Sequence, residues 1–339
     1  MRLLLIGFGT VGQGLAELLL AKEKVLRDRY GLKVKVVGIA DMLKGSVYST
    51  DGIDLAKALA LVKSGDKLST RSDKYDGDAL SMIENAAADM MVEMTYTDIK
   101  TGQPATDHIR AALKKGMHVT TTNKGPLALF YRELKQLADE KGVRFLFEGT
   151  VMSGTPLLNL IRETLAGSTI TEVKGILNGT TNYILTQMEE GLPYDDVLKK
   201  AQELGYAEAV PDADVLGWDA LAKVTILANV VFDVNLKPDD SPCLGITEIT
   251  ADAIADARSR GKRFKLIGKV WRDGDTVKGS VAPEEIDLNH PLAGVPGATN
   301  ALTITTDTLG DITIVGPGAG RTETGYSTLI DIIQAGGTR

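Results

Sequence analysis

Residues 2–14 read RLLLIGFGTVGQG, and the order of parts in that stretch decides the fold. The apolar run of residues 2–6 ends at Gly7. Gly7, Gly9 and Gly12 then fall in a G-x-G-x-x-G spacing, and residues 15–26 (LAELLLAKEKVL) repeat apolar side chains at helical intervals. Strand, glycine loop and helix, in that order, are what a dinucleotide-binding turn requires. Gly7 permits the tight turn, Gly9 lets the backbone approach a pyrophosphate, and Gly12 lets the helix pack on the strand. The helix start would offer its unpaired N–H groups to the phosphates. Gly7, Phe8, Gly9, Thr10, Val11 and Gly12 are therefore the first candidates for cofactor contact.

Working outward, a second apolar strand over residues 33–40 ends in Asp41. An acid at that place binds ribose hydroxyls and favours NAD. It comes later than the usual spacing of about 20 residues, because a Tyr30-Gly31 turn follows the helix. Lys44 and Lys57 are cations that could instead meet the extra phosphate of NADP, so the preference stays open. The alternation continues with helical patterns at 53–63, 79–87 and 105–115, strands at 89–93, 117–121 and 143–147, and another helix reaching Glu140. This is the pattern of a doubly wound α/β sheet, in which residues just past the carboxyl ends of the strands line the ligand crevice. Thr95, Asn123, Lys124 and Glu148 stand at such ends, and residues 1–150 read as one nucleotide-binding domain.

The second half is less periodic. A small turn, Gly149-Thr-Val-Met-Ser-Gly-Thr-Pro156, can aim backbone carbonyls inward, and Pro156 suits a first helical position. After a strand at 170–177, Asn178-Gly-Thr-Thr-Asn182 opens a helix. Asn178 is a plausible cap, and the N–H groups and hydroxyls behind it could hold a carboxylate. Residues 203–223 (ELGYAEAVPDADVLGWDALAK) gather carboxylates and end in Lys223, the lone charge of ALAKVTILANVVF at 220–232. On a helix, Asp219 and Lys223 share a face. A lysine inside an apolar helix needs a partner, and its basicity is readily tuned by desolvation. The pair is either a preassembled acid and base or a structural ion pair. A helix at 247–260, strands at 264–271, 276–282, 303–306 and 312–316, the loop Gly316-Pro-Gly-Ala-Gly320 and a helix at 325–334 complete the chain. Residues 151–305 read as an α+β domain. Residues 306–339 read either as a segment returning to the nucleotide-binding domain or as a simple hairpin and turn.

Whole-chain properties narrow the class. A length of 339 residues exceeds what one core usually serves, so two domains are expected. A net charge of −7 without a basic block argues against nucleic acid or an anionic membrane as partner. No apolar run approaches the roughly 20 residues of a membrane span, and the start lacks a signal pattern, so a cytoplasmic location is expected. One cysteine, Cys243, rules out an intrachain disulfide, and with three histidines it leaves little for a catalytic zinc site.

Taken together, GFGTVGQG at 7–14, TTNKGPL at 121–127, FEGTVMSGTP at 147–156, LNGTTNYIL at 177–185, the segment 201–223 and GPGAG at 316–320 resemble homoserine dehydrogenases, in that family's order and over essentially the entire chain. The resemblance implies a Rossmann-like nucleotide domain, an α+β catalytic domain and a homodimer. It implies interconversion of L-homoserine and L-aspartate 4-semialdehyde with NAD(P), in the branch to threonine and methionine. It makes Lys223 the acid/base, with Lys124 beside it near the nicotinamide. It assigns Glu208 and Asp219 to the substrate's ammonium and hydroxyl region, with Asp214 supporting them, and Gly179, Thr180 and Tyr206 to the substrate lining. Gly205, Gly320, Asp41, Lys57, Thr95 and Lys124 join the glycine loop as cofactor residues. A monovalent cation, sodium, is expected on backbone oxygens of Glu148, Val151, Ser153 and Thr155. The chain leaves no length for an ACT-type regulatory domain, so threonine feedback through one is not expected. The competing readings are another amino-acid dehydrogenase with a Rossmann domain, or a dinucleotide sensor without turnover. Aspartate semialdehyde dehydrogenase fits poorly, since its cysteine nucleophile needs a basic neighbour and Cys243 has no histidine near it in sequence.

Overall fold

The structure is a computed structural model describing residues 1–337. The chain divides into two compact units, residues 1–154 with 320 onward, and residues 155–319.

The first unit begins with β1 (Arg2–Ile6) and α1 (Thr10–Tyr30), as the opening stretch requires. It continues through β2 (Lys35–Asp41), β3 (Gly45–Tyr48), α2 (Leu55–Lys63), α3 (Ala79–Asn85), β4 (Met90–Glu93), α4 (Ala105–Lys114), β5 (His118–Thr121), α5 (Lys124–Glu140) and β6 (Phe145–Leu146). The strands order as β3-β2-β1-β4-β5-β6. All neighbours are parallel except β3, which runs antiparallel to β2. Three residues separate β2 from β3, too few for a parallel crossover, so that connection folds as a hairpin. Parallel strands covered on both faces read as unbroken apolar runs. Accordingly Leu3, Leu4, Leu5 and Ile6 are all fully buried. At roughly 1.5–3 kcal/mol per buried aliphatic side chain, such strands hold the sheet's centre. The strand order reverses at β1, between β2 and β4, which places the glycine loop at the switch point where such sheets bind ligands.

The second unit holds α6 (Leu158–Thr164), β7 (Ile170–Ile176), α7 (Gly179–Met188), α8 (Tyr194–Glu203), α9 (Asp212–Val215), α10 (Trp218–Val231), α11 (Ala251–Ser259), β8 (Lys262–Asp273), β9 (Thr276–Asp287), β10 (Thr299–Thr306) and β11 (Gly310–Pro317). Its sheet orders as β11-β10-β7-β8-β9 and is antiparallel throughout. Ile176, Ile267, Ile286, Leu292, Ala293, Val295 and Ala301 pack as one apolar cluster. Pro156, expected at a first helical position, lies ahead of α6, which starts at Leu158 after Leu157.

The segment expected from residue 306 onward divides. Residues 310–317 are β11 of the second sheet, whereas α12 (Arg321–Gly336) belongs to the first unit. Thr338 and Arg339 lie outside the described residues. Two α12 residues, Leu329 and Ile332, enter the first unit's core beside Leu15 and Leu19. A Cβ on Gly325 would stand 2.8 Å from the Leu15 nitrogen, so glycine lets α12 lie close on α1. Among the described residues no helix is long and apolar enough to cross a membrane.

Candidate active site

In the first unit the glycine loop is built by backbone fit. Gly7 has φ +95°, and any Cβ there would strike the backbone at Met94–Thr95. A Cβ on Gly12 would stand 2.5 Å from the Gly7 carbonyl oxygen. Gly9 differs: a Cβ there would meet nothing within 4 Å, and φ is an ordinary −74°. The protein's own packing therefore does not demand glycine at position 9, whereas a ligand pressed against the backbone would. Gly9 caps α1 without a side chain, and the first turn carries no acidic residue, leaving its N–H groups suited to a phosphate. Thr10 and Val11 form that first turn, and the Phe8 N–H donates 2.7 Å to Asp41 Oδ2. The other Asp41 oxygen accepts from the N–H groups of Leu43 and Lys44 at 3.0 and 2.9 Å. Asp41 thus stays anchored at the end of β2 beside the glycine loop. Lys44 Nζ stands 3.9 Å from Asp41, while Lys57 is largely exposed and pairs with Asp54 at 3.2 Å. These residues fit a dinucleotide.

At the ends of β4 and β5, the fully buried Glu93 accepts from the Thr95 N–H at 3.1 Å, from the Thr95 hydroxyl, and from the Thr121 hydroxyl at 3.0 Å. The Asn123 N–H donates to the Thr121 hydroxyl at 3.0 Å, and Asn123 Oδ1 caps α5 through the Gly125 N–H. Lys124 is the first residue of that helix. The sequence offers one hint of Glu93, its place at the end of an apolar DMMVE run. Gly320, with φ +141°, caps α12 in the same unit.

The expected cation loop begins at Glu148, whose N–H donates 3.2 Å to the buried Asp331 of α12. Met152 and Ser153 both have left-handed backbones, φ 58° and 54°, uncommon for residues other than glycine and characteristic of functional turns. The Ser153 hydroxyl bonds Thr324 at 2.7 Å. Thr155, the next expected ligand, is the first residue of the second unit. No group of three or more His, Cys, Asp or Glu side chains among the described residues is placed to hold a metal; backbone oxygens are the donors this loop offers.

The second unit gathers charged side chains. Asn178 caps α7, accepting from the Thr181 N–H at 2.9 Å. Its amide nitrogen donates to Asp214 at 2.6 Å and to Asp219 at 3.0 Å. Asp219 Oδ2 also accepts from Lys223 Nζ at 2.6 Å, and the same ammonium donates to the Leu177 carbonyl at 2.6 Å. Asn300 Nδ2 reaches that carbonyl at 2.8 Å. Lys223 is 7 % exposed, so this is a preassembled, nearly buried ion pair. Burial pushes the Asp214 carboxyl above its ordinary range, Asn178 opposes this, and the Asp219 charge adds to it. The Thr180 hydroxyl donates to the Tyr206 carbonyl at 2.6 Å, and the Tyr206 ring meets that of Tyr183 at a 53° tilt with centroids 5.1 Å apart. Gly179 begins α7. Glu208 is exposed on the loop before α9, and Gly205 is an exposed turn residue with φ +75°. Asn178 was legible as a cap; its role as a clamp on two carboxylates was not, because they lie 36 and 41 residues away.

Comparison with known proteins agrees with both halves. Residues 7–148 match the family model described as "Homoserine dehydrogenase, NAD binding domain", and residues 156–333 match "Homoserine dehydrogenase". The chain is 44 % identical over 335 residues to the NAD(+)-dependent homoserine dehydrogenase of Pseudomonas canavaninivorans, covering 98 % of this chain and 95 % of that one. It is 41 % identical to the homoserine dehydrogenase of Methanocaldococcus jannaschii, covering 98 % of each. Among solved structures, a hyperthermophilic archaeal homoserine dehydrogenase in complex with NADPH superposes with a TM-score of 0.85 at 33 % identity, covering 98 % of this chain and 97 % of that one.

Proposed function

Because the chain belongs to the homoserine dehydrogenase family, we propose that it interconverts L-homoserine and L-aspartate 4-semialdehyde with NAD(P), in the branch to threonine and methionine. The observation that carries the reading is the Lys223 ammonium, nearly buried and held 2.6 Å from both Asp219 and the Leu177 carbonyl. Homoserine is a zwitterion with a primary alcohol. Glu208, Asp214 and Asp219 suit its ammonium and hydroxyl region. The N–H groups and hydroxyls of Gly179 and Thr180 suit its carboxylate, with Tyr206 lining the substrate. As the neutral amine, Lys223 Nζ takes the hydroxyl proton in oxidation and becomes the ammonium; as the ammonium it gives that proton back in reduction, a role typically worth about 10²–10⁴-fold. Asp219 orients that nitrogen. The cofactor supplies the hydride acceptor or donor. Gly7 to Gly12, Thr95 and Gly320 would hold it, with Lys124 assigned to its nicotinamide end and Gly205 a further candidate contact.

Between the two nicotinamide cofactors, the anchored Asp41 favours NAD. A carboxylate beside the glycine loop accepts ribose hydroxyls and repels a 2′-phosphate. Lys57, paired to Asp54, offers that phosphate less than a free lysine would. We extend to this chain a homodimer, a cytoplasmic location and a sodium ion on backbone oxygens of Glu148, Val151, Ser153 and Thr155. The strained Met152–Ser153 turn supports the last. The test is homoserine-dependent reduction of NAD and NADP, followed by nicotinamide absorbance. Turnover with NAD ahead of NADP is expected. A protein that binds cofactor but leaves homoserine untouched would refute the reading.

A further inference from the structure

The second unit also buries a lysine that the chemistry above does not use. Lys265 lies in the first half of β8 and is 1 % exposed. Its ammonium donates to Asn182 Oδ1 and to the Val295 carbonyl, both at 2.9 Å. Asn182, on α7, spends its amide nitrogen on three carbonyls of one loop: Val295 at 3.2 Å, Gly297 at 2.8 Å and Thr299 at 3.2 Å. Pro296 of this segment is exposed and residues 297–299 are half-buried, whereas Val295 is buried in the apolar cluster. Backbone carbonyls that turn inward need partners, and Lys265 and Asn182 are those partners.

The loop they fix touches the substrate side of the unit at two places. A Cβ on Gly179 would stand 2.5 Å from the Ala298 carbonyl oxygen, so the first residue of α7 rests directly on the loop. The residue after Thr299 is Asn300, whose amide shares the Leu177 carbonyl with Lys223. A shift of the 295–299 backbone would therefore reach both the start of α7 and the oxygen that orients the Lys223 ammonium.

We propose that Lys265 is a positioning residue for the substrate half of the site: its buried ammonium locks the 295–299 loop, which seats the first turn of α7 and the Leu177 carbonyl that holds Lys223. The backbone part stands on geometry alone; its consequence for homoserine rests on the function proposed above. A charge is suited to the task because charge-assisted bonds to carbonyl and amide oxygens are stronger than neutral ones. The arrangement also resists loss of either partner, since that would strand buried polar groups.

The test is Lys265→Met in the full chain, read by amide exchange and by steady-state kinetics. Faster exchange at residues 179–182 and 295–300 is expected. So is a rise of about tenfold in the KM for homoserine with the cofactor KM unchanged, since misplacement remote from the chemistry costs orientation. Should that variant not fold, Asn182→Asp decides. It keeps an acceptor for Lys265 but loses the three donated bonds, and the same exchange and KM pattern is expected. Lys265→Gln, which retains a donor, should recover part of both effects. Unchanged exchange in a folded variant, or equal rises in both KM values, would overturn the proposal. Loosened exchange in a protein that never turns over homoserine would support the positioning role and refute the substrate instead.

Discussion

In the first unit the candidate ligand surface is made of glycines and backbone N–H groups at strand ends. In the second it is made of charged side chains held by partners inside the chain: Asp219 by Lys223, and Asp214 and Asp219 by the Asn178 amide. The first kind of site selects by shape, because a Cβ at Gly7 or Gly12 would collide with backbone. The second would select by charge and, on the function proposed above, move the proton. A hydride-transfer enzyme needs both, since the cofactor brings the redox chemistry and the protein brings the acid–base groups.

The contrast predicts that mutations will separate the two functions. The largest effect is expected for Lys223→Met. Turnover of homoserine should fall on the order of 10²–10⁴-fold, while fluorescence titration shows cofactor affinity unchanged; near-normal turnover in a folded variant would break the comparison. Asn178→Ala should come next. It removes a cap worth about 1 kcal/mol and frees both carboxylates. Homoserine kcat/KM should drop by roughly 10–100-fold, with a modest loss in melting temperature and no change in cofactor KM.

Gly9→Ala tests the other side. Nothing in the protein opposes a methyl there, so stability should change by less than about 1 kcal/mol, yet the cofactor KM should rise about tenfold with homoserine KM unaffected. A Gly9→Ala enzyme with wild-type cofactor KM would mean that the open space is not used. The smallest effect concerns pH. Burial lowers Lys265 to about 8, Glu189 opposing and Arg263 reinforcing. Its folded value lies below its unfolded one, so between about pH 8 and 10.5 the unfolded chain holds a proton that the folded chain has released. The stability of wild type relative to Lys265→Met should therefore rise by roughly 1–3 kcal/mol across that window, as denaturant titrations at both ends would measure. Below pH 8 the difference should be flat.

The same contrast explains what the sequence could reveal. The first unit's strands and helices follow from unbroken apolar runs, helical periodicity and glycine spacing, all local signals; β1, β2, β4, β5, α4 and α5 fall where those patterns place them. The strand β3 gives no such signal, because Gly45–Tyr48 is four residues long and lacks an apolar run. In the second unit the Asp219–Lys223 pair is local, one helical turn apart, and was legible. The Asn178 clamp and the Lys265–Asn182 bond, which spans 83 residues, were not. A lysine between Phe264 and Leu266 gives no sign of which face of the sheet it takes. The family resemblance named Lys223 and Asp219 but says nothing of how the 295–299 loop is held.

The C-terminal helix carries a consequence for synthesis. Residues 155–319 are one continuous stretch, whereas the first unit needs α12, whose Leu329 and Ile332 enter its core and whose Asp331 accepts from the Thr120 hydroxyl at 2.6 Å. On the ribosome, domains usually finish in the order in which they are made. Here the part begun first is completed last: the substrate unit can close while the nucleotide unit waits, one face of α1 still uncovered, for a helix not yet translated. A chain stalled after residue 319 would carry its Asp219–Lys223 pair without a finished nucleotide unit.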